Sequence, residues 1–236
     1  MTRNVRTYDH FCLLARALER VGDRWTLLVV RDLLSGAKRF TDLLERLGGI
    51  TPKTLTLRLR ELEDAGVLIA DREPGRREVW YRLTESGTEL ASAIDALSWW
   101  GLRHAWRPPG PGERLHVEHL LQALIRAIEH TAQDRGPVRW HLRIERVGDY
   151  LIRSDGEHWS LVWLGGPDQP APQDEASPDE GSADVVVTAD EASLTRFVLD
   201  PTAARAAELT IDIRGDTAAR DRFQRLVGTF TRSIPT

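Results

Sequence analysis

Residues 50–84 read ITPKTLTLRLRELEDAGVLIADREPGRREVWYRLT, and this stretch decides the fold of the first half of the chain. Thr51 carries the side chain of an N-cap, and Pro52 falls at the first helical position, where a missing N–H costs nothing. Leu55, Leu59 and Leu62 recur at i, i+4 and i+7, which makes one buried stripe. Lys53, Leu57 and Arg60 fall on the opposite side, with Thr56 at its edge. Gly66 ends the helix as a C′ residue. Val67 to Asp71 then reads as a strand, Pro74-Gly75 turns the chain, and Val79 to Leu83 returns it. Arg72, Arg76, Arg77 and Arg82 crowd this hairpin.

Working outward, His10 to Val21 is a short amphipathic helix with Phe11, Leu14, Ala15 and Leu18 on one face. Asp23 caps a second helix, in which Trp25, Leu28, Val29 and Leu33 repeat at helical spacing. Phe40 to Leu47 is a third, and Gly48-Gly49 turns into the helix after Thr51. Helix, glycine turn, helix and Arg-tipped hairpin are the parts of a winged helix-turn-helix, whose second helix enters the DNA major groove. The candidate DNA contacts are therefore Lys38, Arg39, Thr51, Pro52, Lys53, Thr54, Thr56, Leu57, Arg60, Arg76 and Arg77. Leu57 either meets a thymine methyl or packs against the helix containing Leu43; Arg60 reaches either a guanine edge or a phosphate. A helix from about Gly87 to Trp106, capped by Thr84 or Ser86, follows. Its two apolar stripes, Leu90/Ile94/Leu97/Gly101 and Trp99/Leu102/Trp106, point to a dimer partner.

The 236 residues suffice for two domains with separate cores, and 41% hydrophobic with 29% charged residues describe a globular chain. The formal charge of −4 is divided: residues 1–106 carry 17 basic against 15 acidic side chains, and residues 107–236 carry 15 against 21. A mildly basic first half suits DNA contact at one end only. A single Cys, no signal-peptide pattern and no apolar run of membrane-spanning length point to the cytoplasm, with no membrane partner.

The stretch RPPGPG, residues 107–112, is a stiff break, so the expected domains are 1–106 and 114–236, joined by a Pro/Gly linker over 107–113. After a helix from Arg114 to Gln133, the period changes to two. Val138, Trp140, Leu142 and Ile144 alternate with polar residues, Gly148-Asp149 turns, and Tyr150–Arg153 and His158–Leu164 continue a meander. Residues 165–182 contain five acids and no base and read as a flexible loop. Val185–Thr188 is a strand, T-A-D-E (residues 188–191) a capping box, Asp200-Pro201 the start of a short helix, Leu209–Ile213 a last strand, and the chain closes in a helix carrying Phe223. The fold class is α+β: a winged helix-turn-helix domain, then an α+β domain with an antiparallel sheet covered by helices.

From Cys12 to Trp106 the sequence resembles the HxlR-type winged helix-turn-helix regulators of bacteria, relatives of the MarR group. The resemblance rests on VGDRWTLLVVRDLLSGAKRFTDL, GITPKTLTLRLRELEDAGVL and WYRLTESGTEL. It implies homodimeric, sequence-specific binding of double-stranded DNA. The chain departs from the pattern at Cys12-Leu13 in place of Cys-Pro, at Trp80-Tyr81 in place of Glu-Tyr, and at Leu57, a position more often polar. Some members of the family sense oxidants through a Cys near the N-terminus, which makes Cys12 a redox candidate; the other reading is a small core residue. ADVVVTADEASLTRFVLDP and LTIDIRGD resemble, more loosely, a sterol-carrier-protein-like domain, which holds an apolar ligand between sheet and helices. That resemblance makes Trp140, Leu142, Trp159, Trp163, Phe197 and Phe223 candidates to line a site for a small apolar or aromatic effector; the plain alternative is an ordinary core.

No Gly-rich phosphate loop, HExxH, nucleophile elbow or Cys/His zinc set is present, and His116 and His119 lack a third ligand. The expectation is a regulator without catalysis, cofactor or metal. The alternative is a winged helix used as a protein-interaction module without specific DNA binding.

Overall fold

The computed structural model describes residues 8–72, 78–107, 109–110, 113, 115–134, 136–166, 183–199 and 209–234. It divides into two units, Met1–Leu97 and Ser98–Thr236. No helix among the described residues is long and apolar enough to cross a membrane.

The first unit is a winged helix-turn-helix. Its order is α1 (Leu13–Val21), α2 (Thr26–Leu33), β1 (Lys38–Arg39), α3 (Phe40–Leu47), α4 (Pro52–Asp64), β2 (Leu68–Arg72), β3 (Val79–Leu83), α5 (Glu85–Thr88) and α6 (Ala91–His104), the last running into the second unit. Leu55, Leu59 and Leu62 of α4 are buried against Val29, Val30 and Leu33 of α2 and Leu43 of α3. The end of α4 shows why the chain turns there. Gly66 takes φ +70, and the N–H groups of Gly66 and Val67 donate to the carbonyls of Glu63 and Leu62 at 3.0 and 2.9 Å, a Schellman closure. β2 and β3 pair antiparallel, Leu68 opposite Leu83 through Arg72 opposite Val79.

Four details differ from the sequence reading. First, Lys38 and Arg39 form a short strand on β3, opposite Tyr81 and Trp80; two residues carry no periodicity from which a strand is read. Second, α2 starts at Thr26, because Asp23 makes a turn ahead of it: its carboxylate accepts from the Trp25 N–H and its carbonyl from the Thr26 N–H. Third, the long helix after Thr84 is broken into α5 and α6. Thr84 Oγ1 caps α5 by accepting from the Gly87 N–H, and Leu90 N–H donates to Gly87 O, a tighter turn than α-helix. Fourth, the expected inner face of α1 opens outward: Ala15 is buried, while Phe11 and Leu14 are 83% and 67% exposed.

The second unit contains α7 (Val117–Thr131), β4 (Val138–Ile144), β5 (Gly148–Ser154), β6 (Trp159–Gly165), β7 (Val185–Ala189), α8 (Glu191–Leu199), β8 (Ile211–Arg214) and α9 (Thr217–Ser233). The strand order is β6-β5-β4-β7-β8. The sheet is mixed rather than antiparallel, because β4 and β7 run parallel, Trp140 opposite Val185. A parallel pair needs a crossover, and the 19 residues between β6 and β7 (numbers 166–184) leave that choice open to sequence reading. Trp140, Leu142 and Ile144 join Val185 and Val187 in a core with Leu121, Leu124 and Ile128 of α7, Phe197 of α8, and Phe223 and Phe230 of α9.

The β4–β5 turn lies over Glu145–Val147, with Arg146 at φ +62, so Gly148 already belongs to β5. The cap of α8 is Asp190, whose Oδ1 and Oδ2 accept from the Ser193 N–H and hydroxyl at 2.8 Å; Thr188 stays within β7. The second stripe of α6 belongs to this core as well. Trp99 stacks on His130 at 4.3 Å, Trp106 meets Phe230 edge-on, and Leu102 is buried. That stripe is therefore covered by the chain itself and gives no reason for a dimer. Arg222 clamps α9 to the segment before β4, donating to both Asp134 oxygens and to the carbonyls of Gly136 and Pro137. In the expected linker, Arg107 pairs with Glu113, which also accepts from the Gly110 N–H; these contacts hold the Glu113 carboxyl down to about 2. Residues 167–182 and the helix expected after Asp200-Pro201 lie outside the described residues.

Candidate nucleic-acid interface

The site is built on α4 and starts with its cap. Thr51 Oγ1 accepts from the Thr54 N–H at 3.2 Å and shares a 2.8 Å contact with the Thr54 hydroxyl, so both side chains are engaged in fixing the first turn. The Thr56 hydroxyl donates to the Pro52 carbonyl at 2.8 Å. With Leu55, Leu59 and Leu62 held inward, Lys53, Leu57 and Arg60 stand outward and exposed. Among the described residues neither the Lys53 nor the Arg60 side chain makes a hydrogen bond or ion pair. Arg60 does act electrostatically on Tyr81, whose hydroxyl is pushed up chiefly by burial.

The neighbouring arginines are different. Arg58 bonds Glu61 and lies 3.5 Å from Asp23, which ties α4 to the turn before α2. Arg72 holds Glu63 through two bonds of 2.7 and 2.9 Å; the hydrogen bond from Arg72 keeps the Glu63 carboxyl below its ordinary range. Arg82 bonds Asp71 at 2.8 Å. Sequence reading groups Arg72 and Arg82 with the wing charges, yet each is neutralised within the hairpin or by α4. The pairing with Glu63 spans nine positions and two elements, so no local spacing announces it.

Lys38 and Arg39 are placed by β1. Lys38 Nζ donates to the Ser35 hydroxyl at 3.0 Å. Arg39 is held more tightly: its backbone N–H and its guanidinium both bond Asp42, its Nη1 lies 3.3 Å from Glu78, and its Cζ sits 5.5 Å above the Trp80 ring. The Asp42 hydrogen bond and charge raise its pKa further and keep the cation fixed. The wing tip with Arg76 and Arg77 lies outside the described residues. The structure thus brings Thr51, Lys53, Thr54, Thr56, Leu57 and Arg60 together on one helix, with Lys38 and Arg39 on the sheet that backs the wing.

In the second unit, the expected pocket residues pack on one another. Trp140 meets Phe223 edge-on at 4.8 Å and Trp159 at 5.5 Å, and Phe197 stacks on Phe223 at 6.0 Å. Leu142 is buried and Trp163 half-buried in the same core. A recess of about 270 Å³ opens beside Trp140, lined by Pro137, Asp184, Asp216, Ala218, Ala219 and Arg222. Cys12 is half-buried at the start of α1, and its carbonyl accepts from the Arg16 N–H. His116 and His119 lie edge to face at 5.3 Å; among the described residues no three His, Cys, Asp or Glu side chains cluster as a metal site would need.

Residues 20–108 match the family model described as HxlR-like helix-turn-helix. An uncharacterised HTH-type transcriptional regulator of Mycobacterium bovis is 45% identical over 107 residues, covering 43% of this chain and 65% of that protein. The chain thus spans less than two thirds of that relative. An uncharacterised HTH-type transcriptional regulator of Methanothermobacter thermautotrophicus is 33% identical over 109 residues, covering 45% of this chain and 82% of the other. The crystal structure of the HTH-type regulator YtcD aligns at 35% identity with a TM-score of 0.38, over 41% of this chain and 100% of YtcD.

Proposed function

Because the chain belongs to the HxlR-like helix-turn-helix family, we propose that it acts in the cytoplasm as a homodimeric transcription regulator that inserts α4 into the major groove of double-stranded operator DNA. The observation that carries the reading is the outward face of α4. Among the described residues Lys53 and Arg60 meet no carboxylate there, whereas Arg39, Arg58, Arg72 and Arg82 around them are paired. A free guanidinium on a rigid, capped helix is suited to a guanine edge or a phosphate. Arg76 and Arg77 would take the flanking backbone or minor groove.

Dimerisation is supported by apolar side chains that the chain leaves in water. Phe11, Leu13, Leu14 and Leu18 on and beside α1, with Leu97 and Trp100 one turn apart on α6, are all exposed. Two copies of α4 would then meet two half-sites of an approximately palindromic operator.

We further infer that the second unit is sterol-carrier-protein-like and binds a small apolar or aromatic effector that shifts operator affinity. The support is a sheet whose aromatic face lies under three helices, and the recess beside Trp140. Titrating apolar and aromatic compounds against operator affinity tests this; bound compounds that all leave affinity unchanged would remove the effector. The reading assigns the chain no catalytic step and no cofactor.

The test of the main reading is DNA binding as a function of salt. Log affinity should fall with log salt by roughly 0.9 per neutralised phosphate. Arg60→Ala should weaken and relax recognition, while Arg76→Ala with Arg77→Ala should weaken all sequences alike. Binding that ignores salt and both substitutions would favour a protein-interaction module, a reading that gains from the paired wing arginines.

A further inference from the structure

We infer that Leu57 reads a thymine by its 5-methyl group and so sets the sequence preference of α4. The inference rests on the proposed role of α4 in the major groove. Leu57 is 48% exposed at the middle of the helix's outward face, with Lys53 one turn before it and Arg60 one turn after. The buried stripe of Leu55, Leu59 and Leu62 fixes the rotation of the helix, so Leu57 has no inward alternative. Its isobutyl group neither donates nor accepts a hydrogen bond. In the major groove the apolar feature that separates one base pair from another is the thymine methyl, and a leucine can discriminate through that contact alone.

The spacing adds a second element. Leu57 and Arg60 are three residues apart, or about 4.5 Å along the axis at 1.5 Å per residue. That compares with about 3.4 Å per base step. The thymine read by Leu57 and the guanine edge offered to Arg60 therefore fall on neighbouring base pairs of each half-site. The shared cap contacts of Thr51 and Thr54 leave the first turn occupied with its own backbone, so the centre of the face carries the discrimination.

The experiment uses the full chain and duplexes selected by it from a randomised pool. Each thymine of the selected site is replaced in turn by deoxyuridine, which differs only in lacking the methyl. Loss of one buried methyl-sized group is about 0.8 kcal/mol, so the wild type should bind about fourfold more weakly at one thymine per half-site. Leu57→Ala should bind thymine and uracil there equally while keeping its preference at the neighbouring guanine. Leu57→Gln, which retains helix propensity, should change the favoured base at that position to adenine. Because Leu57 is half in water, both variants should unfold at the wild-type temperature, which separates recognition from folding. A wild type that binds its selected sites yet is indifferent to uracil at every thymine, or a Leu57→Ala protein that still distinguishes the two, overturns the inference alone. Absence of sequence-selective binding by the wild type overturns it together with the proposed function.

Discussion

Gly87 shows how much one residue settles in this fold. Its α-carbon lies so close to the Val67 carbonyl that an added β-carbon would stand 2.1 Å from that oxygen. The same carbonyl also accepts from the Thr84 N–H and hydroxyl, so it is held from two sides and has little room to retreat. Gly87→Ala should therefore destabilise the first unit by about 1–3 kcal/mol, the usual cost of overpacking, and thermal unfolding followed by circular dichroism measures it. Thr51→Ala removes the acceptor of the Thr54 N–H and should cost about 1 kcal/mol. Its first turn would fray while the buried leucines stay in place, so DNA affinity should fall more than the melting temperature suggests.

At the scale of elements, α4 is tied to β2 by Arg72 and Glu63. The Glu63 carboxyl lies below its ordinary value near 4.5, chiefly through the Arg72 hydrogen bond. A carboxylate with a lowered folded pKa contributes stability above its unfolded value and loses it as pH falls through the folded one. The melting temperatures of wild type and Glu63→Gln should differ near neutral pH, wild type higher, and converge below pH 4.5. The elements themselves were legible where one period and its punctuation coincide. FTDLLERL ahead of Gly48-Gly49, and the leucine stripe between Thr51 and Gly66, give α3 and α4 at their observed positions. Periodicity names the residues that share a face, but not what covers that face. Hence α1 has its apolar side turned outward, and the Trp99/Leu102/Trp106 stripe finds cover in its own chain. Strand partners are less legible still. β1 is too short to have a period, and nothing in the residues of β4 says that β7 will lie parallel beside it. For the candidate site, α4's outward face was readable from spacing, whereas the neutralisation of Arg39, Arg72 and Arg82 depends on partners brought in by the fold.

For the whole molecule, the exposed leucines of α1 and α6 make the dimer testable without DNA. Leu14→Glu combined with Leu97→Glu places charges on side chains that are 67% and 54% exposed in the single chain, so the fold should be spared while self-association is lost. Sedimentation velocity should then show a monomer where the wild type gives a dimer; an unchanged sedimentation coefficient would move the interface elsewhere. The aromatic residues offer a view of each unit separately. Of eight tryptophans, Trp25 and Trp80 belong to the first unit and the rest to the second, where Trp140 is nearly sealed from water. The guanidinium of Arg39 rides above the Trp80 indole, anchored by Asp42 and Glu78. A cation in that seat perturbs the ring's excited state, so a phosphate drawing on Arg39 should change both the colour and the intensity of its emission. With Trp25 and the six indoles of the second unit replaced by phenylalanine, the wing would carry its own lamp, reporting the arrival of a duplex without any attached dye.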